Sequence, residues 1–532
     1  MKIKGFIAFI FPLAFLLLFL GSCTDNSKNI DENGKTFVSK GEKDWVYYTE
    51  YDDYIEITGF VFKTGADGLN VSIDITGSIS FDISDNLSKD SFVSPEDVGV
   101  VDLIIPSIIA NKPVKRIKSN AFKDIAAIKS VVLPSTLEYI GDNAFSGCIN
   151  IPYFEFPDSL VTIGQNAFSG CTEVVELSTP RNMTVIGKNA FAGISNLEKL
   201  SISECVLQID EGAFSGLGKV EELILPSGLK KIGSNSFRKW QSIETLIIPE
   251  KVEFIGLGAF YNCNKLNSLT FLGSPKIIGD EAFAVCGLDN VTLPQGTKIL
   301  GNKVFRDCSN LKMIDLGGVE SVGHNLFDGC KYLHTVVFSQ DMNEISSGMF
   351  YNCDSLVKIT VPSQIKNVGK WAFFNCDSLE KITFEDIYNI GDEAFIGCIK
   401  LKDISFSDEI KNIGERAFYK CISLEKIYVT SENIGKEAFY WCTSLKELSF
   451  SDNVKKIETK AFSRCNSLTN IRFSDNIVSL GALSFAGNTQ LKTVLFGEGI
   501  SEIMYGAFEN CSPSFSGGNS YCKEWIKNWE TK

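Results

Sequence analysis

From residue 122 to residue 508 the apolar and polar positions of the chain follow one repeating template. A phenylalanine recurs at 122, 145, 168, 191, 214, 237, 260, 283, 305, 327, 350, 373, 395, 418, 439, 462, 485 and 508. Most of these 18 copies are 23 residues apart, with a few steps of 22 and one of 21. A period this constant marks a solenoid, whose units bury their apolar edges only against the units before and after. The residue ahead of the phenylalanine is alanine except at Ser236, Val304, Leu326, Met349 and Ser484, where packing adjusts and the register survives.

Within one unit, Phe154 and Phe156 alternate with Tyr153 and Glu155. That is the periodicity of a strand with one buried face, so each unit is predicted to supply one parallel strand. Ala144, Phe145, Cys148 and Ile151 are spaced by one, three and three, which predicts a short helical turn with Asp142 as its cap. Gly164, matched by Gly141, Gly187, Gly233, Gly256 and Gly279, marks a tight turn or a point with no room for a side chain. Two residues past the phenylalanine, Gly147, Gly170, Gly193 and Gly216 give way to Asn262, Asn352, Asn375 and Asn510. Glycine and asparagine share a tolerance of the left-handed conformation, so this position is expected to end the turn. The predicted fold is a β-rich, right-handed solenoid with coils of about 23 residues, roughly 85 Å long at about 4.8 Å per stacked strand.

The pattern resembles the BspA-like leucine-rich repeats of bacterial surface proteins. The best matches are IGDNAFSGCINIPYFEFP (140–157), IGLGAFYNCNKLNSLTFL (255–272) and VGKWAFFNCDSLEKITFE (368–385). The resemblance covers about three quarters of the chain. It implies an adhesive surface protein whose ligand is a host-matrix or partner-cell protein.

The ends depart from the template. Lys2 and Lys4 precede an apolar run, Phe6 to Leu20, and then Leu20-Gly21-Ser22-Cys23. This is a secretory leader, and its apolar run is short of the roughly 20 residues that cross a bilayer as a helix. The small residues before Cys23 resemble a lipobox. Residues 1–22 are therefore expected to be a signal peptide, with Cys23 acylated (palmitate or related chains) as a stable anchor. Residues 23–43 are polar and are expected to be a flexible tether. Residues 44–117 are expected to be a β-rich N-terminal cap with an insertion, 118–510 the solenoid, and 511–532 a C-terminal cap. In the last of these, Trp525, Ile526 and Trp529 stand at helical spacing over the end of the array.

Thirteen of the 16 cysteines lie three residues after the repeat phenylalanine: Cys148, Cys171, Cys263, Cys286, Cys308, Cys330, Cys353, Cys376, Cys398, Cys421, Cys442, Cys465 and Cys511. One position in every coil faces inward, and Ile125, Ile194, Leu217, Trp240 and Asn488 hold it elsewhere. The expectation is a ladder of reduced, buried thiols acting as small apolar filler. A linear stack does not give tetrahedral zinc geometry, so no metal is expected. Cys511 and Cys522 flank a closing segment and are a candidate disulfide.

A formal charge of -14, without a basic stripe, excludes nucleic acid as a natural partner. His324 and His334 are the only histidines, and neither belongs to a nucleophile or metal motif. No phosphate or dinucleotide loop is complete, so neither an enzyme nor a cofactor is expected. The predicted function is recognition by a monomeric lipoprotein of the bacterial outer membrane, held to the membrane by lipid and exposed at the cell surface. Its candidate face comprises Tyr153, Glu155, Lys199, Glu222, Lys358, Lys381, Lys402, Glu425 and Lys446. The exposed faces show no aromatic column, which places an extracellular protein ahead of a glycan as ligand; a spacer without ligand is the third reading.

Overall fold

A computed structural model describes residues 35–38, 45–63, 69–73, 79–83, 101–405 and 410–531. The leader, Cys23 and most of the expected tether lie outside the described residues.

The 18 phenylalanines form one unbroken column. Successive rings are stacked nearly parallel, as in Phe145–Phe168 at 5.4 Å and 6° or Phe395–Phe418 at 4.9 Å and 5°. Each ring is fully buried, and burying a phenylalanine side chain contributes about 1.5–3 kcal/mol. The preceding Ala, the ladder cysteines and a Leu or Ile six residues on complete a continuous core. Because every coil repeats the same inward positions, the core has no centre, only length.

Most coils carry two parallel strands, where one is predicted, and around Glu222 the longer one is absent. The longer ones, such as Thr245–Ile248, Ser268–Phe271 and Asn290–Thr292, pair coil on coil in register. A second ladder is made of two-residue strands ending on the Ile before the repeat glycine, as in Lys231–Ile232 and Phe254–Ile255. At Tyr153–Glu155 the predicted strand shrinks to a single bridge, Tyr153 to Glu176, although the alternation of buried Phe154 and exposed Tyr153 is as expected.

The predicted helical turn is instead a run of linked β-turns. In all 18 coils the residues two before and two after the phenylalanine have positive φ, for example Asn143 (55°) and Gly147 (75°). A helix interior cannot hold such residues. Their effect is to aim alternate N–H groups along the solenoid axis: Asn143, Phe145 and Gly147 donate to Gln165, Ala167 and Ser169 of the next coil, each at 2.8 Å. The intervening Ala144, Ser146 and Cys148 close turns within their own coil. The turn side thus becomes a third hydrogen-bonded ladder. Asp142 is not a helix cap; its Oδ1 accepts from the Gln165 N–H of the next coil at 2.7 Å. Gly141 is required by close approach, since a Cβ there would lie 2.4 Å from the Ser119 nitrogen.

At the N-terminal end, Lys35–Val38, Trp45–Glu50, Ile55–Lys63, Leu69–Ile73 and Ile79–Ile83 form an antiparallel meander. Lys35–Val38 falls within the stretch expected as tether. Ile55–Ile57 then pairs parallel with Val114–Ile117, which in turn pairs with Tyr139–Ile140. The meander therefore occupies the edge of the short-strand ladder that would otherwise be open. At the other end, Ser514–Gly517 pairs with Thr493–Phe496. A helix, Ser520–Glu530, follows, with the Asn519 side chain accepting from the Cys522 N–H. Trp525 meets Phe496, Phe508 and Phe515 edge-on, and Trp529 meets Phe515.

Candidate functional site

The thiol ladder is internal, and its side chains have a second role besides filling space. All 13 cysteine Sγ atoms sit within hydrogen-bond reach of the carbonyl oxygen of the phenylalanine one coil earlier, from Cys148 to Phe122 (3.1 Å) through Cys511 to Phe485 (3.2 Å). Where the thiol is replaced by Trp240 or Asn488, the donor is kept: Trp240 Nε1 reaches Phe214 O at 2.6 Å, and Asn488 Nδ2 reaches Phe462 O at 3.0 Å. The signal was present in the sequence, because two of the five replacements carry an N–H. Burial pushes the thiols of Cys171, Cys308 and Cys465 up to about 12, which opposes both metal ligation and oxidation. Among the described residues no three His, Cys, Asp or Glu side chains converge as a metal cluster.

The pair Cys511 and Cys522, a candidate disulfide from the sequence, is not bonded in the structure. Both are buried free thiols: Cys511 is turned to Phe485 O, and Cys522 sits under the last turn, 4.0 Å from Ile500 O. Of the 15 described cysteines, Cys205 alone is exposed.

The outward positions behave in the opposite way, changing from coil to coil. Tyr153, Lys199, Glu222, Lys358 and Lys381 share one column, eight residues past the phenylalanine, and all are exposed. Cross-coil neighbours in that column include Glu176 beside Lys199 and Asp403 beside Lys381, the latter pair at 3.1 Å. Glu155 lies two residues further along. Lys402, Glu425 and Lys446 stand one position earlier, where Lys446 pairs with Glu425 at 3.2 Å. The candidate face is therefore three adjacent columns. A shallow depression crosses it at Ser268, Asn290, Asp289, Lys312 and Tyr332, with Lys312 bonded to Asp289 at 2.6 Å. His334 lies beside it and pairs with Thr335 Oγ1 at 2.9 Å; His324 is on the turn side of the same coil, its backbone N–H donated to Asn302 Oδ1 at 2.8 Å.

On the turn side, half-buried aromatic rings stack in two pairs that the strand positions do not show. One residue after the repeat phenylalanine, Tyr351 stacks on Phe374 at 4.7 Å and Tyr419 on Tyr440 at 5.4 Å, with Ile396 between the pairs. Trp371 and Trp441 flank these pairs and are exposed. Reading only the strand positions hides them; aligning the coils on the phenylalanine brings them out. These rings stack face to face, so they offer edges more than faces.

Stacked coils, two parallel ladders and a phenylalanine spine define a leucine-rich-repeat solenoid. More narrowly, the chain belongs to the family with a BspA type leucine rich repeat region, whose model matches in six copies over residues 115–243, 184–312, 230–356, 320–434 and 412–516. Similar solved structures include a leucine-rich repeat protein from Bacteroides ovatus (22% identity, 92% of this chain and 100% of that one, TM-score 0.48). Another is a leucine rich cell surface protein from Faecalibacterium prausnitzii (19%, 82% and 94%, TM-score 0.35). A third is the pneumococcal vaccine antigen PcpA (15%, 92% and 96%, TM-score 0.25). No curated protein matches the chain. Scaffolds of this class typically serve protein interaction and not catalysis.

Proposed function

We propose that this protein is a surface-anchored recognition module for an extracellular protein on a host or partner cell. The observation that carries the reading is the contrast between inward and outward columns. Phe, Cys, Ala and Ile repeat where they face in, whereas Tyr153, Glu176, Lys199, Glu222, Thr245, Ser268, Asn290, Met313 and Thr335 succeed one another at one outward position. A spacer would need only the first property. A long surface whose chemistry changes every 4.8 Å or so suits a partner read along its length. Acylation of Cys23 would hold this surface at the outer membrane.

Capture of matrix and cell-surface proteins by the full chain, beside a glycan array, tests the ligand class. Enrichment of a protein that competes away in solution supports the reading; glycan binding alone, or no binding in either assay, overturns it. Protease shaving of intact cells tests exposure, and labelling with a fatty-acid analogue tests the anchor, which requires labelling to vanish in Cys23→Ala.

A further inference from the structure

We infer that the turn side of the coils around Trp441 is a docking site for an acidic, apolar-containing segment of a protein partner. This rests on the reading of the chain as a protein-recognition module and names the chemistry of its partner.

Three observations meet here. The first is backbone geometry. Lys420, Trp441 and Arg464 occupy one position in three successive coils, all with φ of 62–65°. The coils on either side place Gly397 and Gly487 there. Bulky residues in the left-handed region are strained, and glycine is not. Lys420 and Arg464 each lie 5.4 Å from the Trp441 ring. Cation–π contacts of that length at an exposed site return less than the conformation costs. The three side chains thus stand exposed on adjacent coils at a conformational cost that their mutual contacts do not offset.

The second is charge. Across residues 396–401, 419–424, 440–445 and 463–468 there is no Asp or Glu, in a chain whose formal charge is -14. Lys400, Lys420 and Arg464 are exposed, and none has an ion pair among the described residues. Nearby cations on the other flank differ: Arg416 and Lys460 are both bound to Glu437. The patch is thus the cationic corner of an acidic molecule, and it would draw a carboxylate-bearing partner that the rest of the surface repels.

The third is apolar exposure. Ile399 and Ile422, in the two coils before that of Trp441, are 39% and 41% exposed and Trp441 is 36% exposed, with Tyr419 and Tyr440 stacked on each other one position before Lys420 and Trp441. Trp, Tyr and Arg together are the composition of protein-binding hot spots. Exposed isoleucines add a demand for aliphatic or aromatic side chains, which a polysaccharide does not meet.

The test pans a phage-displayed random dodecapeptide library on the full chain in detergent micelles. Synthetic copies of the enriched peptides are then titrated by fluorescence anisotropy, with polygalacturonate as an acidic glycan probe. The patch variants are Trp441→Gly, which installs the residue found two coils away on either side at Gly397 and Gly487, and Lys420→Glu with Arg464→Glu. Lys251→Glu with Lys265→Glu, at exposed positions outside both surfaces, is the control, and Lys358→Glu with Lys381→Glu probes the strand face. Enriched peptides should carry Asp or Glu beside aromatic or aliphatic residues and weaken as salt rises. Their Kd should rise by about tenfold or more in both patch variants, with the thermal midpoint kept, and stay unchanged in the control. Peptides without carboxylates, unchanged affinity in the patch variants, or tighter binding of polygalacturonate at the patch overturns the inference. Loss confined to Lys358→Glu with Lys381→Glu overturns the patch but leaves protein recognition standing. No enriched peptide at all overturns both.

Discussion

The Cys353 thiol lies 3.3 Å from the carbonyl oxygen of Phe327, its partner one coil earlier in the chain. That carbonyl also accepts from the Cys330 N–H, closing a turn. The inward cysteine is therefore both a filler and a second donor to a fully buried acceptor. Small, apolar and weakly donating, cysteine meets both needs better than serine, whose shorter bond to oxygen does not fill the space, or than valine, which donates nothing.

Asn488 shows the cost of a different solution. Its Nδ2 serves Phe462 O and Phe485 O, but its Oδ1 is buried without a partner. An unsatisfied buried acceptor costs about 1–3 kcal/mol. Asn488→Cys is expected to stabilise the chain by about 1 kcal/mol in urea denaturation. Ser236→Ala and Ser484→Ala, which remove unpartnered hydroxyls from the alanine column, should act in the same direction. A destabilised Asn488→Cys would show that the donor reading of the ladder is wrong.

The raised thiol pKa values make stability sensitive to alkali. A buried thiol near 12, against an ordinary 9.0, keeps its proton in the folded state while the unfolded chain releases it. The unfolded state therefore binds fewer protons above 9, and stability falls as pH rises through the 9 to 12 window. Below 9 the contribution is fully present. Cys171, Cys308 and Cys465 each lose about 1.4 kcal/mol per pH unit in that window, and burial raises the thiols of Cys330, Cys353, Cys376, Cys421 and Cys442 in the same direction. Denaturation midpoints should be flat from pH 7 to 8.5 and collapse by about pH 10. Replacing Cys308 and Cys465 by alanine should lessen the slope. In the native state at pH 8, a thiol reagent should label Cys205 quickly and the ladder only on unfolding.

Close approach at the repeat glycine predicts a sharp contrast between two glycines. A Cβ at position 141 would strike the Ser119 backbone at 2.4 Å, whereas one at position 218 meets nothing within 4 Å. Gly141→Ala is expected to cost about 3 kcal/mol, because two backbones must part. Gly218→Ala should stay within about 0.5 kcal/mol of the parent. Equal midpoints for the two variants would mean that the coils are not packed as closely at the repeat glycine as the structure has them.

The phenylalanine and cysteine columns were legible because inward positions repeat and nothing competes with packing there. The second strand ladder was not, since two residues such as Lys231–Ile232 pair only with other coils and leave no period of their own. The turn is ambiguous in the sequence because a spacing of one, three and three fits a helix and a linked-turn ladder alike. Asn143 and Gly147 held the discriminating signal. Left-handed formers on both sides of Phe145 fit no helix. The candidate face was read one position out of register at Lys402, Glu425 and Lys446, where the strand begins after the charged residue. The Trp441 patch was out of reach for a different reason: its meaning depends on the φ of three residues in separate coils.

Val285 offers a test of that backbone argument away from any proposed site. It sits at the same position as Trp441, two residues past the repeat phenylalanine, with φ of 60°. A β-branched residue there is a genuine outlier, since both of its branches crowd the backbone. Asn262, one coil earlier, holds the same conformation at the same position. Val285→Asn should therefore stabilise the chain by about 1 kcal/mol, the left-handed penalty less the partial burial of the lost side chain. Val285→Gly should gain less, because it also frees the unfolded chain. If instead both variants unfold earlier than the parent in urea, side-chain packing outweighs the backbone strain. The retention of Lys420, Trp441 and Arg464 would then have an ordinary structural explanation.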